Sequence, residues 1–362
     1  MDRREAIKAL GLSAGLWATP ALGGPRDRVR HYGASKPGQP VWGNTFYQTF
    51  GPMKGLARET AKEGKNVFLY ENLEEQIGEI VPHWQGPDPE SGAPGEGDCV
   101  GQAGAMGVDV LAATDIHLQD EPEEWLAKAS VEMAYAGSRI EIGRDGRPKE
   151  NPEKANWIAG RGGSHGGWMA RFFNEYGVLH RAVYDDKKGQ RLDLSGYDPG
   201  RSRKYRDIGV PDWLEEEARQ HPVKTVTNPQ SGEEALDAVC ARQPVIMCSS
   251  YAFMDTRDSQ GFCKAFGAER GRWGRWSRYQ WWHAMILTGA LFEGGRVGGL
   301  IQNSHGDWNT GPRPHGIPRG SFFVDLATLD LMVKDWFDCW ALGSYKGHET
   351  KKIRKRIHKL WR

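Results

Sequence analysis

The run from Cys99 to Leu118 constrains this chain more than any other stretch. Val100, Ala103, Met106, Val110, Leu111, Ala113 and Ile116 put apolar side chains on nearly every side of a helix. A helix that is apolar all round is buried rather than laid on a surface, and its many Gly and Ala residues allow neighbours to approach closely. The segment ahead of it, "GPDPESGAPGEGD" (86–98), reads as a loop, and Asp98 suits the N-cap. Covering such a helix takes a large core. A chain of 362 residues, 38% hydrophobic and 26% charged, can supply one as a single large domain or as two lobes.

Other elements follow in order. Leu56, Thr60, Leu69, Leu73, Ile77 and Ile80 give residues 46–80 a helical pattern, interrupted at Gly64. A second helix is predicted from about Glu121 to Ala136, ended by Gly137, and a third from Trp168 to Tyr176, closed by Gly177. Residues 185–225 are polar, with Gly/Pro breaks, and read as an inserted surface region. From Glu233 the character changes. A short helix (Glu233–Ala241) leads to the strands "QPVIMCSSYAF", "HAMILTGALF" and "LIQNSHG", the last two joined by the turn "EGGRVGG". The strands "GSFFVDL" and "CWALGSY" follow. A helical first half and a β-rich second half make an α+β chain.

The ends differ from the middle. "MDRREAIKALGLSAGLWATPALGG" has a charged front, a modest apolar run and a small-residue finish, which is signal-peptide anatomy. Arg3–Arg4 resembles a twin-arginine export motif, although Ala6 stands where an aromatic or leucine is usual. Export to the periplasm or the exterior is therefore expected, with a cytoplasmic protein as the alternative. The tail "HETKKIRKRIHKLWR" spaces Ile353, Ile357, Leu360 and Trp361 as a basic amphipathic helix does. It reads equally as a contact for an anionic surface and as a solvated terminal helix. A net charge of +1 demands no polyanion, so no nucleic-acid partner is expected. No run of 18 apolar residues predicts a spanning helix.

Cys99, Cys240, Cys248, Cys263 and Cys339 contain no CxxC spacing. In an oxidising compartment one or two disulfides are expected among the last four, leaving Cys99 as the unpaired thiol. Cys99, at the first turn of the central helix, looks placed to be reached. The positive end of the helix dipole and a neighbouring imidazolium both lower a thiol's pKa, while the charge of Asp98 opposes them. His283 stands at the entry to an apolar strand and Asn303 closes the next one. A tight Gly-rich turn between these strands would set the two side by side, where the amide can hold the imidazole for proton exchange.

Cys, His and Asn in this order, on a helix start and two successive strands, resemble the papain-like cysteine peptidases. "GDCVGQA" resembles the cysteine segment, and "HAMILTGALFEGG" with "GGLIQNSHGDW" resembles the histidine strand and the Asn-Ser-Trp-Gly segment. "RGGSHGGWMARFFNEYGVLHRAVYDD" resembles the glycine-rich substrate loop and "QPVIMCSSYAF" the strand before the histidine. The likeness spans roughly residues 85–345, with insertions at 139–160, 185–225 and 256–280. It implies a two-lobed fold in which a helical lobe carries Cys99 on a central helix and an antiparallel sheet lobe carries His283 and Asn303. It also implies Cys99 as nucleophile, His283 as general acid/base, Asn303 as orienter, and substrate main chain bound at Gly162 and Gly163, or at Gly166 and Gly167.

The family's oxyanion glutamine normally precedes the cysteine by six residues. Ala93 is there, so Gln85 is the candidate. Val100 replaces the usual aromatic after the cysteine. His305 replaces the tryptophan that shields the Asn–His bond, leaving Trp308, Trp281 or Trp282 to do so. The organisation that follows is a signal peptide at 1–23, an arm at 24–80, the papain-like domain at 81–345 and a basic tail at 346–362. The function that follows is hydrolysis of peptide bonds in a peptide or protein substrate. The alternatives are a papain-like domain that binds without cutting, and an amidase or acyl-transferase acting on cell-wall peptides. No cofactor or metal is expected, since no spacing joins His305, Asp307 and His315 as ligands. The Arg/Trp-rich stretch 270–282 reads as a wall of the cleft.

Overall fold

The computed structural model describes residues 43–80, 96–118, 125–143, 162–186, 188–265 and 283–343. The expected signal segment, Gln85, the 266–282 stretch with Trp281 and Trp282, and the basic tail lie outside the described residues.

The described chain opens with helices α1 (Phe46–Thr49) and α2 (Leu56–Lys62), strand β1 (Val67–Phe68) and helix α3 (Tyr70–Ile77). The arm expected to end at residue 80 is, from 46 onward, part of the core. Phe46, Leu69, Tyr70 and Leu73 are buried, and β1 joins the main sheet.

Helix α4 (Cys99–Leu118) is buried along most of its length, as its apolar surround requires. A Cβ on Gly101 would stand 2.8 Å from Tyr135 Cβ, and one on Gly104 would stand 2.6 Å from Met169 Cγ. These glycines let α5 (Val131–Gly137) and α6 (Gly166–Glu175) close onto α4. Helix α5 starts at Val131, not near Glu121, because Ser130 caps it by accepting from the Met133 N–H. It also runs through Gly137 into a π turn over Ser138–Ile142. Gly137 has ordinary helical angles, and a Cβ there would lie 2.1 Å from the Phe172 ring. It is a close-approach glycine rather than a stop. Gly177 does end α6, with φ +92°.

The 185–225 region departs most from expectation. It holds most of the β2 (Val183–Asp185) and β3 (Arg191–Asp193) hairpin, α7 (Pro199–Tyr205) and α8 (Asp212–Ala218), and it runs into β4 (Thr225–Thr227). Leu194, Ser202, Leu214 and Val223 are buried, and β4 pairs with the main sheet. Its polar composition misleads because several of its polar groups bond buried carboxylates rather than water.

The remaining elements are α9 (Gly232–Cys240), β5 (Val245–Ser249), β6 (Phe253–Arg257), β7 (Cys263–Ala265), β8 (His283–Glu293), β9 (Arg296–Gln302), β10 (Phe322–Asp325), α10 (Leu326–Trp336) and β11 (Cys339–Gly343). Helix α10 is absent from the sequence reading, although its signals are present. Asp325 caps it by accepting from the Thr328 N–H at 2.8 Å, and Leu329, Met332 and Val333 turn inward.

The main sheet runs β10-β9-β8-β5-β11-β4, with β1 also on β8. Every pairing in it is antiparallel. Side chains alternate faces along a strand. Ile286 therefore meets α4 near Gly107, while on the other face Leu287, Leu236 of α9 and Leu329 of α10 all converge on Gly299. The sheet thus carries helices on both faces. All five cysteines are free thiols, so the expected disulfides are not formed. Buried, they act as small apolar side chains.

Candidate active site

His283 opens β8 and Asn303 follows the last residue of β9. The hairpin between them turns at Gly294 and Gly295, with φ +61° and +75°, and pairs Ile286 with Gln302. That register brings the two ends together. His283 Nε2 lies 2.7 Å from Asn303 Oδ1, and the same oxygen accepts from the Ser304 N–H at 2.7 Å. An amide oxygen only accepts, so these two donors fix which way the amide faces. They also put the imidazole proton on Nε2, which makes Nδ1 the basic nitrogen of the neutral ring.

Cys99 reaches the same place from the other layer. Its sulfur lies near enough to the backbone N–H of Ala284, the residue after His283, for that dipole to favour the thiolate. Helix start and strand start therefore meet, and the three residues picked from the sequence cluster at this junction. The thiol is less open than its position suggests, with Cys99 only 9% exposed.

The expected lowering of the thiol pKa is not found. Burial pushes Cys99 up to about 11; the Ala284 N–H opposes that, and the charge of Asp98 adds to it. Burial holds His283 down near 4, with the Asn303 bond opposing. Loss of solvation outweighs the helix dipole here, so the resting pair is a thiol and a neutral imidazole.

His305 lies flat on His283, with ring centroids 4.5 Å apart and planes tilted by 26°. It therefore covers the imidazole itself. Trp308, one of the candidates for that task, packs edge-on against Phe322 and donates to the Gly320 carbonyl. Burial, then the neighbouring His283, holds His305 near 3. Among the described residues, Asn303 Nδ2 and both polar atoms of the Gln302 side chain are buried without a hydrogen-bond partner. Both residues line a narrow cavity together with Gln102, Ala103, Met106 and Ala284.

The glycine loop sits against the segment before the thiol. The Gly163 N–H donates to Gly97 O at 2.9 Å and to the Tyr135 hydroxyl at 2.8 Å. The Gly163 carbonyl accepts from the buried Arg139 guanidinium. Both main-chain groups of Gly163 are thus used inside the protein. Gly166 and Gly167 are excluded as main-chain donors to a substrate, because their N–H groups donate to Asp338 at 2.9 and 2.7 Å. That carboxylate also accepts from Trp340 Nε1 and completes the N-terminus of α6.

Asp98 does not cap α4 with its side chain. Its backbone carbonyl accepts from the Gln102 N–H at 3.0 Å, while its carboxylate turns to the 193–206 segment. There it accepts from the Tyr197 hydroxyl and the Ser202 hydroxyl, each at 2.8 Å. Glu96 is bound by both oxygens to Arg206 Nη1, at 2.8 and 3.0 Å, with Arg203 at 3.4 Å. Glu132 holds Arg201 at 2.7 Å. Sequence reasoning passed over these partners because the segment carrying them looked like solvated surface.

No family model and no curated protein matches the chain. Among solved structures it is similar to xylellain, a cysteine protease from Xylella fastidiosa, at 13% identity over 77% of this chain and 85% of that one, with a TM-score of 0.43. It is also similar to procathepsin B S9 from Trypanosoma congolense, at 9% identity over 78% and 77%, with a TM-score of 0.41. A third is digestive procathepsin L 3 of the Tenebrio molitor larval midgut, at 11% identity over 90% and 95%, with a TM-score of 0.39.

Proposed function

We propose that this chain is a papain-like cysteine peptidase acting through an acyl-enzyme. One observation carries the reading: His283 is held on Asn303 at 2.7 Å at the start of the strand whose next residue, Ala284, lies by the Cys99 sulfur. From the neutral resting pair, the thiol proton passes to His283 Nδ1 as sulfur attacks the substrate carbonyl. Asn303 keeps the Nε2–H side fixed throughout. The imidazolium then protonates the departing amine as the C–N bond breaks. Water attacks the thioester, His283 takes its proton, and the thiolate leaves to be reprotonated.

Coupling proton transfer to attack suits a buried thiol, since no charge pair has to persist at rest. Gln85 is our candidate for the oxyanion donor and Gly162 for a substrate main-chain contact. We further infer an exported protein, whose catalytic domain takes in residues 46–80 as well as the expected 81–345, and a basic tail suited to an anionic surface.

A second reading is a papain-like module that binds without cutting. The raised Cys99 thiol and the occupied main-chain groups of Gly163 favour it. Hydrolysis of casein and of short fluorogenic peptides separates the two. A peptidase cleaves them, and Cys99→Ala and His283→Ala each bring the rate to background. A rate indifferent to Cys99→Ala would sink the peptidase reading. Alkylation of Cys99 without any hydrolysis would favour the binding module.

A further inference from the structure

Asp98 is fully buried beside the thiol, yet its hydrogen-bond donors are all neutral. Gln102 Nε2 lies 3.3 Å from Oδ1, and the hydroxyls of Tyr197 and Ser202 each lie 2.8 Å from Oδ2. Other titratable groups face it: Glu96 and Cys99 on its own segment and Tyr135 from α5. The guanidinium groups of Arg206 and Arg203 go to Glu96 instead. Two of the three donors thus come from a segment that contributes nothing to the Cys, His and Asn cluster.

We propose that residues 193–206 are a clasp on the nucleophile loop, in which Tyr197 and Ser202 are positioning residues that set the charge of Asp98 and through it the reactivity of Cys99. The proposal rests on Cys99 being the nucleophile. Arg206 and Arg203 on Glu96 anchor the loop one side of Gly97, and the hydroxyl pair anchors it on the other. The balance at Asp98 is fine enough to be tuned. Burial raises its pKa to about 7, while the Ser202, Tyr197 and Gln102 bonds pull it down and Glu96 adds to the rise. Hydrogen bonds to a carboxylate favour its charged form, so each hydroxyl lost leaves Asp98 protonated to higher pH. A protonated Asp98 no longer opposes thiolate formation next door.

The test is alkylation of Cys99 in the full chain by iodoacetamide from pH 5 to 10, followed by mass spectrometry of the Cys99 peptide. The wild-type profile is expected to bend near pH 7, where Asp98 ionises, before the thiolate rise. Asp98→Asn removes the bend and speeds labelling at pH 8 by about three- to tenfold, the effect of half to one pKa unit. Tyr197→Phe and Ser202→Ala each move the bend to higher pH, an effect that loop packing alone would not produce.

If Asp98→Asn fails to fold, the two single-hydroxyl variants decide. Folded variants whose profiles superimpose on the wild type overturn the clasp. A chain that labels with the expected bend but cuts no peptide sinks the peptidase reading and supports the clasp. Resistance of Cys99 to labelling at every pH overturns both.

Discussion

His305 stacks on His283 at 4.5 Å, so one imidazole shields another. A covering ring keeps water from the His283–Asn303 bond, and this one also shares in the burial that keeps His283 neutral down to about pH 4.

Removing the ring has a predictable sign. Partial rehydration favours the charged form of His283 and moves its pKa up towards the usual 6.5. In the proposed mechanism neutral His283 accepts the thiol proton. The acid limb of kcat/KM should therefore move up by about one pH unit in His305→Ala and stay low in His305→Trp. An unmoved limb in the alanine variant would show that His305 does not set the solvation of His283.

Asp109 gives a stability prediction independent of catalysis. It is buried, with Oδ1 accepting the Ala129 N–H at 2.7 Å and Oδ2 unpaired. Burial raises its pKa to about 7, against the Ala129 bond and the charges of Arg181 and Lys128. The unfolded carboxyl ionises near 3.9. Between about pH 4 and 7 the unfolded chain holds fewer protons at this site, so its contribution to stability falls as pH rises. Thermal melts should show the wild type losing stability relative to Asp109→Asn across that window. Parallel curves for the two proteins would remove Asp109 from the account.

Gly101 tests how tightly α5 packs on α4. Alanine gains about 1 kcal/mol of helix propensity over glycine. Its Cβ, however, would stand 2.8 Å from Tyr135 Cβ and 3.0 Å from the Val131 carbonyl, and a helix backbone cannot step aside cheaply. Overpacking costs about 1–3 kcal/mol, so Gly101→Ala should be net destabilising by up to about 2 kcal/mol in urea titrations. A stabilised variant would mean that the two helices separate more freely than the structure shows.

How much was legible in the sequence differs from site to site. His283 and Asn303 could be paired because two apolar strands joined by a two-glycine turn have few registers open to them. Cys99 could be placed because a helix apolar all round has one end to begin at. Gly137 was misread as a helix stop, since the sequence does not show that a Phe172 ring fills the space a side chain would need. Residues 193–206, within the stretch read as surface, were misread as solvated, since the Asp98, Glu96 and Glu132 carboxylates that their Tyr, Ser and Arg side chains bind lie 69 to 110 positions away.

By itself the sequence determined the central helix, five strands of the second half in their order along the chain and the residues that end up at the helix–strand junction. Each of these follows from local periodicity, turn chemistry and capping, which act over a few residues. Only the tertiary structure decided that the thiol rests protonated, that His305 covers His283, and that Asp98 answers to Tyr197 and Ser202. Solvation and hydrogen-bond partnership are sums over whatever packs nearby in space, and spacing along the chain does not carry them.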